Sequence, residues 1–347
     1  MMNDSLVQSG RSRLGKPLSV QIASTGMYVP ERVVTNEDLA SLGCDSDWIV
    51  QRTGIRQRRF ARDDQATSDL AYLAALDCLS RVELDPSQVD LVLVATITQD
   101  YMTPSTACIL QRKLGCIAPA FDLNAACSGF MYGLIVGSQF IANGLACNAL
   151  VVGSEVMSRT VNPTDVKTYP LFGDGAGAAL LRPSGGSGAG QAQESPGILA
   201  FTLGSEGSPE ALCTPGGGSR EPLTPERLAQ GRQYMQMDGR NVFKWAVRCV
   251  VDSCRDVLAT AGYTIDQVDL VLMHQANTRI IDAAVEDLRI DPDKVVVNLD
   301  RYGNTSAASI PLVLHEANLQ GRLQKGTLIL LCGFGAGLTW GTALVRY

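Results

Sequence analysis

Histidine is scarce in this chain of 347 residues, with only His274 and His315 present. A metal centre built on several imidazoles is excluded, and a zinc site would have to draw on cysteines. The ten cysteines (44, 78, 108, 116, 127, 147, 213, 249, 254 and 332) form no CxxC pair and no cluster. They read as reduced thiols of a cytoplasmic protein rather than as a disulfide frame. Positive charge is also lacking: the net charge is -6, which gives no general attraction to nucleic acid or to an anionic membrane. Any anionic partner must then be held by a local basic patch. Long apolar runs are missing too, the longest, Leu328 to Leu338, being broken by three glycines and too short to span a bilayer. The first residues are polar with no apolar core, which argues against a signal peptide or membrane anchor and leads us to expect a flexible tail over residues 1–18.

Hydrophobic residues reach 46% and charged residues only 18%, so a large core can form and disorder over most of the length is excluded. A first strand is expected over Ser19–Gly26, a helix over Thr67–Val82, a doubly buried strand over Val89–Ile97 and a helix over Ser105–Leu114. A Gly/Ser/Pro-rich stretch from Pro183 to Gly197 reads as a linker, and 204–240 as a loop-rich excursion. After the linker the pattern starts again. Val89-Asp90-Leu91-Val92-Leu93-Val94-Ala95 matches Val268-Asp269-Leu270-Val271-Leu272-Met273-His274, and the strand and helix around Cys127 match Val295 to Gly321. This indicates a duplicated α/β chain, with one half over 19–183 and another over 184–347, packed about a pseudo-twofold axis.

The duplication frames a chemical constellation. Asp122-Leu123-Asn124-Ala125-Ala126-Cys127-Ser128-Gly129-Phe130 ends an apolar run in small residues and opens a helix. A helix N-terminus favours a thiolate, and the small neighbours leave room for a carbonyl beside the sulfur. Cys127 and Asn304 are expected at equivalent helix starts, with His274 ending a strand of the second half. Taken singly, each has a bland reading: a core cysteine, a structural histidine, a helix cap. Together they supply an acyl-accepting thiol and two N–H donors for an oxyanion. Gly333-Phe334-Gly335-Ala336-Gly337 can bring backbone N–H groups close to a ligand. Phe172-Gly173-Asp174-Gly175-Ala176-Gly177-Ala178 leads into a strand rather than a helix, so it is weak as a nucleotide fingerprint. Trp48 with Arg52, Arg56, Arg58 and Arg59 forms a basic cluster that on its own reads equally well as a solvated face.

In this order, the Asp47–Arg56 stretch, the Cys127 motif, the Phe172 glycine run, His274-Gln275-Ala276-Asn277 and Gly303-Asn304-Thr305-Ser306-Ala307-Ala308-Ser309 resemble beta-ketoacyl-acyl carrier protein synthase III, in the thiolase-like superfamily. The likeness runs from about Val20 to Tyr347. It implies a thiolase-like, duplicated five-layer αβαβα fold and a cytoplasmic homodimer. It also implies a starter condensation of acyl-CoA with malonyl-acyl carrier protein through acyl-Cys127, with no cofactor beyond the substrates. By this resemblance His274 and Asn304 stabilise an enolate, and the backbone N–H groups of Cys127 and Ala336 hold the acyl oxygen. Trp48, Arg52, Lys244, Asn277 and Arg279 contact CoA or the acyl carrier protein, while Phe334 and Thr103 bound the acyl pocket, Thr103 from the partner subunit. Cys332 is expected to pack.

Three positions bear on specificity. Val166-Lys167 stands where family members carry a phosphate-binding arginine, Glu286-Asp287 stands on a helix that is often basic, and a small Thr103 implies a channel for chains longer than acetyl. A starter enzyme of a polyketide or other secondary-metabolite pathway would keep the same trio. Acyl transfer to an alcohol or amine would dispense with Asn304, and a papain-like hydrolase also uses Cys, His and Asn but in another motif order.

Overall fold

The computed structural model describes residues 12–15, 18–185 and 196–347. Strand Leu91–Ala95 (below, β3) is apolar at every position and fully buried on both faces; Ala149–Glu155 (β5) is equally buried and is apolar up to Val152, ending in Ser154 and Glu155. These two pair in parallel, and around them the first sheet builds in the order β2-β6-β5-β3-β4, with β2 Val20–Tyr28, β4 Ala120–Leu123 and β6 Gly175–Pro183. The second sheet runs β1-β7-β10-β9-β8, with β1 Ser12–Gly15, β7 Gly197–Ser205, β8 Leu270–Met273, β9 Leu328–Gly335 and β10 Thr339–Arg346. Each sheet contains a parallel pair followed by antiparallel neighbours: β3 beside β5 and β6 in one, β8 beside β9 and β10 in the other. Val295 even forms a parallel bridge to Val271, taking the place β4 holds beside β3. The duplication expected from the sequence is therefore present in the strand order.

Seven helices matter for the site: α1 Ser46–Thr53, α2 Thr67–Ser80, α3 Thr106–Leu114, α4 Gly129–Ala142, α5 Gly239–Ala261, α6 Thr278–Leu288 and α7 Ser309–Leu319. α4 and α7 lie between the sheets and touch both; α2 and α3 cover the outer face of the first, α5 and α6 that of the second. This is the five-layer αβαβα arrangement of a thiolase-like fold. Because the middle helices are covered on all sides they bury apolar residues in successive turns: Phe130, Met131, Leu134, Ile310, Val313 and Leu314 join one core with strands of both sheets. Among the described residues no helix is long and apolar enough to cross a membrane.

Two sequence expectations are revised. Ser12–Gly15 is a strand, pairing antiparallel with Gly204 to Phe201 of β7, so part of the expected tail belongs to the second sheet. The open edge of β7 offers unpaired backbone groups, which a short neighbouring segment satisfies. The rest of the tail (1–11, 16–17) and most of the expected linker (186–195) lie outside the described residues. Second, the glycine run after Phe172 does not precede a strand; from Gly175 it is one.

Close approach of β5 to the middle layer requires Gly153, where a Cβ would sit 2.2 Å from the carbonyl oxygen of Ala307. Neither backbone can yield without moving the other. Gly153→Ala is expected to cost about 1–3 kcal/mol of stability by overpacking, read as a lowered melting temperature; an unchanged melting temperature would contradict this packing.

Candidate active site

Cys127 sits where β4 hands over to α4. Asp122 anchors the end of β4 by accepting from the backbone N–H groups of Thr106 and Ala107, each at 2.7 Å, which caps α3. The chain then turns tightly over Ala126–Ser128, with Ala126 in the left-handed region at φ 46°, before α4 begins at Gly129. Gly335 of β9 approaches from the other side: a Cβ there would lie 2.7 Å from the Cys127 nitrogen and 2.8 Å from its Cβ. Thr339 Oγ1 bridges the two loops, 2.9 Å from Ala125 O and 2.8 Å from Ala336 O. The result is a cysteine only 7% exposed. Burial pushes its thiol up to about 12, and the nearby Glu155 carboxylate adds to the shift. The standing thiolate expected from the helix terminus is thus overturned, because desolvation of the anion outweighs the dipole.

The second half repeats this turn. Ser306–Ala308 precedes α7, with Ser306 at φ 50°. Ala126 corresponds to Ser306, Cys127 to Ala307 and Asn124 to Asn304. Cys127 and Asn304 are therefore three positions apart in the repeat rather than equivalent, as the sequence had suggested. Asn304 is held by its backbone, its N–H donating to Leu171 O at 2.8 Å and its carbonyl accepting from Gly173 N at 3.0 Å. Gly173 is needed because a Cβ would meet Tyr302 O at 2.2 Å. The glycine run thus serves to seat Asn304 rather than to cradle a nucleotide. Asn304 Oδ1 accepts from Ser306 N at 2.9 Å, which turns the amide NH2 toward the cavity.

His274 follows β8, its N–H donating to Cys332 O at 2.8 Å. The next residue locks it in place: Gln275 N donates to Ser309 Oγ at 2.7 Å, and its side chain spans Met273 O and Asn298 N. The imidazole meets the Phe334 ring edge to face at 5.1 Å, and burial lowers its pKa to about 3. It is a neutral ring in the working pH range, with one N–H to give.

Cys127, His274, Asn304, Phe334 and Ala336 converge at the buried end of a cavity of about 890 Å³. Ile97, Leu212, Met235, Met237 and Val242 form its apolar wall, three of them from the 204–240 excursion. Arg52, Lys167, Arg240, Lys244 and Arg279 ring the open end and are exposed. Arg52 stacks on Trp48 at 4.5 Å and Arg279 on Phe243 at 5.6 Å, so aromatic faces hold the cations in place. Asn277 also lines the cavity, but its side chain is engaged: Oδ1 caps α6 through Arg279 N at 2.9 Å and Nδ2 donates to Arg52 O at 3.0 Å. Val166 and Lys167 both reach the cavity, so a cation stands one position beyond the missing arginine. Thr103 does not line it; it is exposed on the loop before α3. Two shallower grooves of about 590 and 680 Å³ lie at the far side of α6, with Glu286 in both and Asp287 in the second, and contain none of the trio.

Arg58 leaves the expected basic cluster. It is fully buried, donating to Asn36 Oδ1 and Pro170 O, both at 2.8 Å, beneath the loop that seats Asn304. Cys332 packs as expected, accepting from Thr342 Oγ1 at 3.2 Å and outside the cavity. Among the described residues no group of His, Cys, Asp or Glu could hold a metal ion. Sequence reading missed Glu155, fully buried behind Cys127, although a lone acid three residues past the apolar run Ala149–Val152 was a visible signal. It also missed Ser306 and the apolar wall, of which Leu212, Met235 and Met237 lie in an excursion without periodicity.

Comparison with known proteins converges on one family. Models described as 3-oxoacyl-[acyl-carrier-protein] synthase III match residues 121–207 and, for its C-terminal part, 258–347. A beta-ketoacyl-[acyl-carrier-protein] synthase III of Rhodopirellula baltica is 60% identical over 345 residues, covering 96% of this chain and all of the relative. The crystal structure of the 3-oxoacyl-[acyl-carrier-protein] synthase III of Aquifex aeolicus VF5 is 42% identical, with a TM-score of 0.84 over 94% of this chain and all of that one. The priming beta-ketosynthase of the R1128 polyketide pathway is 32% identical, with the same TM-score of 0.84 over 96% and 98% of the two chains.

The neutral state of His274 has a consequence for stability. Its folded pKa of about 3 lies below the ordinary 6.5, so between those values the unfolded chain binds a proton that the native chain refuses. Stability from this residue is lost as pH falls through 6.5. His274→Gln is expected to remove about 2 kcal/mol of that acid-side loss at pH 5. Urea unfolding of both proteins at pH 7.5 and pH 5 measures it, and identical pH dependence would refute the buried, neutral imidazole.

Proposed function

The chain belongs to the 3-oxoacyl-[acyl-carrier-protein] synthase III family, and on that premise we propose that it opens fatty acid synthesis by joining the acyl group of an acyl-CoA to malonyl-acyl carrier protein through a thioester on Cys127. The observation that carries this reading is the convergence of Cys127, His274 and Asn304 at the blind end of a cavity whose open end is cationic. In the first half-reaction the Cys127 sulfur attacks the acyl-CoA carbonyl and the CoA thiolate departs. In the second, malonyl-acyl carrier protein loses carbon dioxide. The His274 N–H and the Asn304 amide hydrogen-bond the enolate oxygen so formed, and its carbon attacks the acyl-enzyme to give 3-oxoacyl-acyl carrier protein. The backbone N–H groups of Cys127 and Ala336 serve the acyl oxygen in both tetrahedral stages. Neutrality of His274 suits this role, since a hydrogen bond to a developing enolate needs a donor and not a standing cation. No cofactor enters, and the free cysteines suit a reducing cytoplasm.

Trp48 and Arg52 are assigned to the adenine end of CoA, and Lys167, Lys244 and Arg279 to its phosphates and to the acidic carrier. Because the side chain of Asn277 is engaged, its role toward the pantetheine arm is to fix the spacing of α1 and α6. A homodimer completes the pocket. Tyr101, Met102 and Ile117 expose 61%, 80% and 98% of their surface beside the edge strand β4, an apolar patch that a second copy would cover while carrying Thr103 to the partner's cavity.

Intact-protein mass after mixing with acyl-CoA from acetyl to dodecanoyl, then malonyl-acyl carrier protein, tests the reading. An adduct that is absent in Cys127→Ala and discharged as a 3-oxoacyl product is expected. His274→Ala and Asn304→Ala should still acylate but lose condensation by at least a hundredfold; an adduct never discharged by malonyl carrier would point to acyl transfer instead.

The dimer is tested separately. Ile117→Lys should shift the sedimenting mass toward one chain, and Thr103→Phe in the dimer should depress turnover of octanoyl-CoA at least tenfold more than that of acetyl-CoA. Equal effects on both substrates would remove Thr103 from the acyl channel.

A further inference from the structure

Behind the nucleophile lies a carboxylate that neither half-reaction uses. Glu155 ends β5, is fully buried, and is surrounded by neutral donors. Its Oε2 accepts from Thr98 Oγ1 at 2.6 Å, Thr96 Oγ1 at 3.0 Å and Ile97 N at 3.1 Å, and its Oε1 accepts from Ser306 Oγ at 3.0 Å and Ile97 N at 3.2 Å. Ser306 in turn accepts from the Cys127 thiol, Sγ to Oγ at 3.5 Å. The donors all point one way, from sulfur to hydroxyl to carboxylate. Among the described residues no cation is hydrogen-bonded to this carboxylate, and its charge acts on the Cys127 thiol. Ser306 is fixed between them, since its backbone N–H is held by Asn304 Oδ1 and its left-handed turn aims Oγ at both groups.

We propose that Ser306 and Glu155 form a proton relay that empties and refills the Cys127 thiol during each catalytic cycle. As sulfur bonds to the acyl carbon, the thiol proton passes to Ser306 Oγ while the Ser306 proton passes to Glu155 Oε1. Cys127 becomes the thioester and Glu155 a neutral acid. The departing CoA thiolate takes its own proton from solvent at the open end of the cavity. When the enolate carbon attacks the acyl-enzyme, the carbon–sulfur bond breaks and Cys127 leaves as thiolate. Glu155 then donates to Ser306, Ser306 donates to sulfur, and both groups return to their starting states. The only proton drawn from solvent is the one consumed by decarboxylative condensation.

The need for a relay follows from the site itself. The buried thiol is held near 12, and the neutral His274 is assigned to the enolate. A proton leaving Cys127 therefore requires an acceptor on the inner side. Burial raises Glu155 to about 7, which suits a group that must both take and return a proton near neutrality. Ser306 touches the reacting sulfur and is a catalytic residue in this scheme, while Glu155 acts through it and is a positioning residue that also stores the proton.

The relay rests on the acyl-Cys127 reading and is tested on the same protein by rapid-quench mass measurement of acylation by acyl-CoA between pH 5.5 and 9. In the parent the acylation rate should climb with pH through an inflection near 7, as Glu155 loses its proton and becomes an acceptor. Ser306→Ala and Glu155→Gln should each slow acylation at pH 7.5 at least tenfold, lose that inflection, and slow it no further when combined. Ser306→Ala decides the matter if Glu155→Gln does not fold, because the equivalent turn already carries Ala126 in the same left-handed region. Variants that keep the inflection near 7, whether at full rate or uniformly slowed, overturn the relay alone. A parent that forms no adduct on Cys127 overturns the acyl-enzyme reading and the relay with it.

Discussion

Two left-handed turns pressed together between the sheets govern this molecule. Ala126–Ser128 and Ser306–Ala308 each tighten the chain just before a middle-layer helix. They can touch only because Gly153 leaves room for Ala307 O and Gly335 for Cys127 N. A non-glycine residue at positive φ costs of order 1–3 kcal/mol and persists only where its surroundings over-determine it. Here the surroundings do so twice, through α4 and α7 packed between both sheets. The strain places a sulfur and a hydroxyl face to face from opposite halves of the chain, 179 residues apart. The duplicated fold is the means by which two local irregularities become one site.

Much of this was legible in the sequence. Repetition of Val89–Ala95 in Val268–His274 announced two sheets, and the Cys127, His274 and Asn304 motifs announced their meeting. The illegible parts have physical reasons. Strand Ser12–Gly15 is too short to show periodicity and forms because β7 has an open edge, a tertiary fact. The register of the repeat, with Ala307 rather than Asn304 opposite Cys127, depends on φ at Ala126 and Ser306, which residue identity does not encode. Arg58 looked like a surface charge, yet it is spent inside on Asn36 and Pro170. A buried arginine whose hydrogen bonds, among the described residues, go to neutral acceptors is an expensive choice, visible only once its neighbours are known. The thiolate inference failed for a related reason, since a helix terminus is legible in sequence and depth of burial is not.

The two buried titratable groups beside the nucleophile act on stability in opposite senses. His274 refuses a proton that the unfolded chain accepts below 6.5, so its contribution falls as pH drops. Glu155 keeps a proton up to about 7 that the unfolded chain releases near 4.5, so its contribution falls as pH rises through that range. Between these limits the losses offset one another, and the pH dependence of the pair is shallower than that of either alone. Opposed shifts therefore let a buried imidazole and a buried carboxyl group stand near the nucleophile without making the fold depend sharply on pH.

Charge is sorted along the cavity rather than balanced within it. The blind end contains a thiol, a neutral imidazole, an amide and apolar side chains, while five cations stand at the open end of a chain whose net charge is -6. On the carrier reading proposed above, an acidic carrier would meet repulsion from a distance and attraction only within about a Debye length of the mouth, ~8 Å at physiological salt. Steering of this kind rewards arrival at one place on the surface and penalises others. The acidic end of α6, with Glu286 and Asp287 away from the cavity, belongs to the repelling surface. Under the carrier assignment proposed above, their presence would narrow the landing area to the ring around Arg52, Lys244 and Arg279; the mouth itself stays cationic.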